Sequence, residues 1–186
     1  SHAQGNTAIE NSILAGVDSI EHGIFLDANQ AEFMSEHNIA LVPTLNAMNS
    51  ILSADSKSLP QYIIDKTKMI QDIFYKNMSV AYQKNVQFIV GTDAGTPFNH
   101  FETAVWNELT LLTKIGLTNF EALQSATQKS AILLQIDNDY GTLERNKFAD
   151  FIVLPENPLV DINAVTNPAR KIFKHGQEIM NEYMEL

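Results

Sequence analysis

Residues 17–45 read VDSIEHGIFLDANQAEFMSEHNIALVPTL, and this stretch decides the fold. Val17 to His22 reads as a strand. Asp27 followed three residues later by Gln30 is a helix-opening cap, Phe33 and Met34 supply the apolar face, and Asn38 is suited to a left-handed stop. Ile39 to Leu45 is a nearly continuous apolar run of strand length, as in a parallel strand buried on both faces. Strand, helix and buried strand in that order form a βαβ unit, so the sheet is expected to be parallel.

Working outward, Thr7 and Glu10 have capping-box spacing, Ile9 and Ile13 share a helical face, and Gly16 supplies a stop. Downstream, Ile63, Ile70, Phe74, Met78 and Ala81 lie close to one helical stripe between Pro60 and Asn85, with Pro60 acceptable in the first turn. Gln87 to Gly91 reads as another buried strand, ending in Gly91-Thr92-Asp93. Helices follow from Glu102 to Ile115, stopped by Gly116, and from the Thr118–Glu121 capping box. The alternation gives an α/β chain whose sheet is either a barrel or doubly wound. After Gln135 the texture changes to short strands and turns: Gly141 to Leu143, Phe148 to Leu154, and a hairpin from Arg170–Phe173 through His175-Gly176 to Gln177–Ile179. A small β appendage is expected there, packed without a flexible linker.

Twelve basic against 22 acidic side chains give a formal charge of −10, which repels phosphate backbones and anionic membrane surfaces, so neither nucleic acid nor membrane is an expected partner. No apolar run approaches the ~20 residues of a membrane span, and a cytoplasmic location is the default expectation. The absence of cysteine excludes thiolate sites, leaving imidazole and carboxylate for any metal; zinc, manganese and iron suit that set. A histidine of chemical interest at position 2, with no strand before it, suggests that the 186 residues are a fragment.

Of the five histidines, His2 and His22 stand out. His22 ends a strand, Asp93 ends another, and His2 lies one helix and one strand before His22. In a barrel all three would reach the rim where catalytic groups collect. Two neutral imidazoles and a carboxylate are what a divalent metal needs to polarise a carbonyl and activate water, and Asp93 could also carry the proton. Spacing alone leaves the other reading open, because a strand-end histidine is commonly a hydrogen-bonded structural group and an aspartate there can simply cap a helix. His37 sits at a helix end and His175 in a turn, where structural roles are expected. His100 follows Asp93 on what should be a loop above the rim. Trp106, Phe98 and Phe101 could line a pocket, but the core is the expected place for aromatic residues near helix starts.

Several motifs in order resemble the metal-dependent amidohydrolase superfamily, in particular the group of imidazolonepropionase-like enzymes, Xaa-Pro dipeptidases and related carboxypeptidases. SHAQG (1–5) resembles the family's strand-five histidine motif, AGVDSIEHG (15–23) its strand six, VPTL (42–45) its strand seven, and GTDAGTP (91–97) its strand-eight aspartate. GLTNFEALQSAT (116–127) and GTLERNKFADFIVLPENPLVDI (141–162) resemble the closing helix and the return into a small β-sandwich. The resemblance implies the carboxy-terminal part of a (β/α)8 TIM-like barrel over residues 1–136 and part of a composite β-sandwich over 137–186. It implies that His2, His22 and Asp93 bind one or two divalent ions, zinc before manganese or iron, and that Asp93 moves the proton. Amide or peptide hydrolysis of the prolidase type follows, with cyclic-amide hydrolysis or deamination as alternatives on the same ligands.

The sequence also departs from the family. The usual second histidine of the strand-five motif is Gln4 here, which puts the substrate role of that position in doubt; Gln4 and His100 are the candidate substrate contacts. Asn146 stands before Lys147 where a glycine is common. The His-x-His pair of strand one and the strand-four lysine are not among these residues, so the fragment alone is expected to be inactive. A half barrel would expose sheet edges and apolar surface, and either a homo-oligomer or pairing with an amino-terminal half would cover them. The competing reading is a scaffold domain that does no chemistry.

Overall fold

A computed structural model describes residues 1–53 and 60–179. The chain is α/β and divides after Leu117 into two compact units. Compactness thus places a division at 117/118, while the resemblance places a domain boundary at 136/137.

The first unit carries the parallel sheet. Strands β1 (His2–Ala3), β2 (Ser19–His22) and β3 (Ala40–Val42) pair side by side in that order, with Ala3 opposite His22 and Ile20 opposite Leu41. Helix α1 (Asn6–Leu14) crosses from β1 to β2, and α2 (Ala28–Glu36) from β2 to β3. Asp27 accepts hydrogen bonds from the Asn29 and Gln30 backbone N–H groups while the Gln30 side chain accepts from Asp27 N–H, which completes the expected cap of α2. Asn38 takes φ 56° at the expected stop. The expected Thr7–Glu10 box does not form. Gly5 is the N-cap, and the Asn6 side chain instead ties α1 to the Asp27 carboxylate at 2.9 Å.

Gln87 to Gly91 was expected to be a full strand, and the structure corrects this to one parallel bridge between Leu41 and Phe88. Leu41 N–H donates to Gln87 O and Ile89 N–H to Leu41 O, both at 2.9 Å. The next rung would need an N–H at position 43, which is proline, so the ladder stops there. Gly91 still matters to the approach: a Cβ at this position would collide with Val42 Cγ1. Gly91→Ala is therefore expected to destabilise this unit by about 1–3 kcal/mol through overpacking, read as a lower urea midpoint with an unchanged slope.

After β3 comes α3 (Leu45–Ser53), a helix with no sequence-based expectation behind it, then α4 (Gln61–Gln83), opened by Pro60 at its N-cap, and α5 (Phe101–Lys114). Ile20, Leu41, Phe88, Met34, Phe74 and Met78 are all buried; strand residues and helix stripes thus share one core.

The second unit begins with α6 (Asn119–Ser125), capped by Thr118 and Glu121 as expected, and α7 (Gln128–Leu133). Strands β4 (Phe151–Val153), β5 (Lys171–Lys174) and β6 (Gln177–Ile179) form an antiparallel sheet in that order, with Phe151 stacked on Phe173 at 4.6 Å. The β5–β6 hairpin turns at His175-Gly176, both at positive φ. Gly141 to Leu143, expected to be a strand, has no strand pairing. Among the described residues no helix is long and apolar enough to cross a membrane.

Candidate active site

Parallel strands deliver successive strand ends to one edge of the sheet, and the first unit uses that edge for polar groups. His22 closes β2 and is 8% exposed; its Nε2 lies 2.9 Å from His2 Nδ1 on the neighbouring β1. The two rings meet edge to face with centroids 4.5 Å apart. Asp93 follows the single rung at Phe88, and its Oδ2 stands 3.9 Å from the same His22 Nε2. On the other side of the His22 ring, Nδ1 lies 2.7 Å from Thr44 Oγ1, just past the end of β3. The structure therefore brings together His2, His22 and Asp93, the three residues singled out from the sequence. His22, Thr44 and Asp93 all adopt left-handed backbone, at φ 72°, 54° and 52°. Of the three, the β-branched Thr44 is the strained one, at a cost on the order of 1–3 kcal/mol.

Electrostatics favour a neutral imidazole at the centre. Burial lowers the pKa of His22 from its ordinary 6.5, and the Asp93 carboxylate only partly opposes this. A neutral ring keeps one nitrogen lone pair available for a ligand.

A buried network supports the loop that carries Asp93. Asn99 donates from Nδ2 to Thr92 O at 2.6 Å, and its own carbonyl accepts from Gly95 N–H. Asn46 Nδ2 in turn donates to Asn99 Oδ1 at 2.7 Å. Glu108 on α5 is fully buried and accepts from the backbone N–H groups of Leu45 and Asn46, at 2.9 and 2.7 Å, so it caps α3 from a distant helix. Burial pushes the Glu108 carboxyl up to about 8, against the opposing pull of those two N–H groups. None of Thr44, Asn46, Asn99 and Glu108 was anticipated. Glu108 did leave a sequence signal, an acid within the apolar stripe of Ala104, Leu111 and Leu112.

The other candidates lie apart. His100 is the exposed N-cap of α5, and Gln4 is exposed just after β1, with its backbone carbonyl accepting from Phe25 N–H. No contact joins either side chain to His2, His22 or Asp93 among the described residues. His37 stacks on Phe33 and His175 on Phe148, as structural histidines do. Phe98 and Phe101, expected in the core, are 40% and 75% exposed. They flank a surface loop whose buried anchor is the polar Asn99, and Trp106 is half-buried.

Two imidazoles and a carboxylate are suitable donors for a divalent ion. Among the described residues, however, no three His, Asp or Glu side chains are clustered tightly enough to hold an ion. Two nitrogens on one tetrahedral zinc stand about 3.3 Å apart at bond lengths of about 2.0–2.1 Å, so the His2–His22 pair at 2.9 Å has hydrogen-bonded spacing. The donor chemistry thus fits a metal, and the spacing would have to open by a few tenths of an ångström.

The sequence matches the model of the Amidohydrolase family over residues 1–179. Among curated proteins it is similar to an uncharacterised protein of Mycobacterium tuberculosis, 35% identical over 67% of this chain, and to ochratoxinase of Aspergillus niger, 29% identical over 90% of it. It spans 34% of the length of each, about a third. Among solved structures it is similar to a Xaa-Pro dipeptidase with methionine bound in the active site, with a TM-score of 0.82, 32% identity and coverage of 96% of this chain and 43% of that one.

Proposed function

Because the chain belongs to the amidohydrolase family, we propose that the protein carrying it is a metal-dependent hydrolase of amide or peptide bonds, of the prolidase type. One observation carries this reading: His2, His22 and Asp93, from three separate segments, converge on a single ring nitrogen. The likeness to a Xaa-Pro dipeptidase favours a dipeptide among the possible amides. On this reading the three parallel strands are an arc of a (β/α)8 barrel, and the antiparallel sheet is part of a small β-sandwich beginning near residue 137.

His2 and His22 would hold the ion through Nδ1 and Nε2, the atoms that face one another, with Asp93 as the third donor. Held there, zinc, or manganese or iron, would supply Lewis acidity towards the scissile carbonyl and towards water. Burial lowers the pKa of His22, which favours the neutral ring that a metal ligand needs. Asp93, with a half-exposed side chain, takes the proton of the attacking water and returns it to the leaving nitrogen. Gln4 and His100, both exposed, are proposed as substrate contacts. Further ligands, in strand-one and strand-four positions of the resemblance, would complete a site for one or two ions, and pairing with that part or with a second copy would cover the sheet edges.

Elemental analysis of the whole protein, alongside hydrolysis of a panel of Xaa-Pro and basic dipeptides, tests the proposal. One or two ions per chain with dipeptide turnover are expected. Turnover of cyclic amides or amino-substituted rings alone would move the substrate class. A protein that stays metal-free and inert after incubation with zinc and manganese would leave only the scaffold reading.

A further inference from the structure

Three short contacts run in series through His22. Thr44 Oγ1 lies 2.7 Å from Pro43 O and 2.7 Å from His22 Nδ1, and His22 Nε2 lies 2.9 Å from His2 Nδ1. One hydroxyl proton must serve Thr44, and a carbonyl oxygen can only accept. If the hydroxyl donates to His22 Nδ1, Pro43 O and Thr44 Oγ1 are left facing each other at 2.7 Å with no proton between them. If it donates to Pro43 O, Thr44 Oγ1 accepts from His22 Nδ1–H, and His22 Nε2 is free to accept from His2. For a neutral ring, only the second arrangement places a proton in every contact.

We propose that Thr44 is a positioning residue that, anchored on the Pro43 carbonyl, fixes His22 as its Nδ1–H tautomer and so keeps the Nε2 lone pair directed at His2 and Asp93. The Thr44 backbone supports this independently. A β-branched residue at φ 54° is a genuine outlier, and Thr44 is only 5% exposed. Glycine or asparagine would occupy that backbone with less strain, and neither would offer a hydroxyl at this point. Groups that hold the second nitrogen of a ligating histidine set both its tautomer and its affinity for the ion. The affinity consequence rests on the metal reading above; the tautomer does not.

The experiment labels the histidines of the whole protein with nitrogen-15 and reads the His22 ring shifts at pH 8 without metal, for wild type, Thr44→Val and Thr44→Ser. Wild type and Thr44→Ser are expected to show a protonated Nδ1 and a bare Nε2, and Thr44→Val a mixture of tautomers. Zinc affinity, measured by competition with a chelating dye, is expected to fall about 10- to 100-fold in Thr44→Val and to be retained in Thr44→Ser. Wild-type His22 protonated on Nε2, or a Thr44→Val ring unchanged in tautomer, overturns the proposal. Wild type that shows the Nδ1–H ring but binds no zinc upholds the role of Thr44 and removes the metal reading instead.

Discussion

With the proton-shuttle role proposed for Asp93, Asp93→Asn in the whole protein is expected to lower kcat/KM by about 10²- to 10⁴-fold, the range of a lost general acid–base group, while leaving the fold intact. The two halves of this expectation come from different features of Asp93. The amide has nearly the same shape but cannot accept a proton from water or return one to a leaving nitrogen. Structurally little changes, because the side chain is half-exposed and its backbone sits at φ 52°, a conformation asparagine tolerates as well as aspartate does. Urea denaturation of the metal-free protein should therefore place the variant within about 0.5 kcal/mol of wild type, as for a surface change away from the core. Activity within threefold of wild type on the best dipeptide would sink the proton-shuttle role.

The second large effect falls on a residue that touches no substrate in this reading. Glu108→Ala is expected to destabilise the protein by about 2–4 kcal/mol, since it leaves the buried N–H groups of Leu45 and Asn46 without acceptors and opens a cavity. The pH dependence of wild-type stability has a definite sign. The Glu108 carboxyl titrates near 8 in the folded state against an ordinary value of 4.5, so between those values the folded protein holds more protons than the unfolded chain. Stability from this group is then fully present below pH 4.5, falls as pH rises towards 8, and is constant above that. Denaturation of wild type and Glu108→Ala across this window checks both parts: the variant should be less stable at the acid end, and the gap should close as pH rises because only wild type declines. Equal slopes in the two proteins would show that the Glu108 carboxyl is not raised and is already ionised across this window.

How much of this was legible in the sequence depends on the range of the interaction concerned. The Asp27–Gln30 and Thr118–Glu121 caps are local, written into residues three apart, and formed as expected. The grouping of His2, His22 and Asp93 was legible because strand ends in a parallel sheet share an edge and because the motifs occur in order. Glu108 capping α3 and Asn46 meeting Asn99 link residues more than 50 positions apart, and no local pattern announces such partners. The strand expected at Gln87–Gly91 failed for a related reason: its apolar run was read correctly, but its pairing depended on Pro43 in another segment. The Thr7–Glu10 spacing misled because Gly5 and Asn6 began the helix two residues early.

Pro43 does more than end a ladder. With one rung joining the segment at Phe88 to β3, the main-chain coupling between the Asp93 loop and the strands bearing the imidazoles is as slight as a sheet allows. That loop is held instead by its own Asn99 and by Asn46, while His2 and His22 are registered to one another through β1 and β2. The site is thereby built in two ways: the histidine pair is registered by the strand ladder of β1 and β2, and the aspartate is placed by side-chain amides.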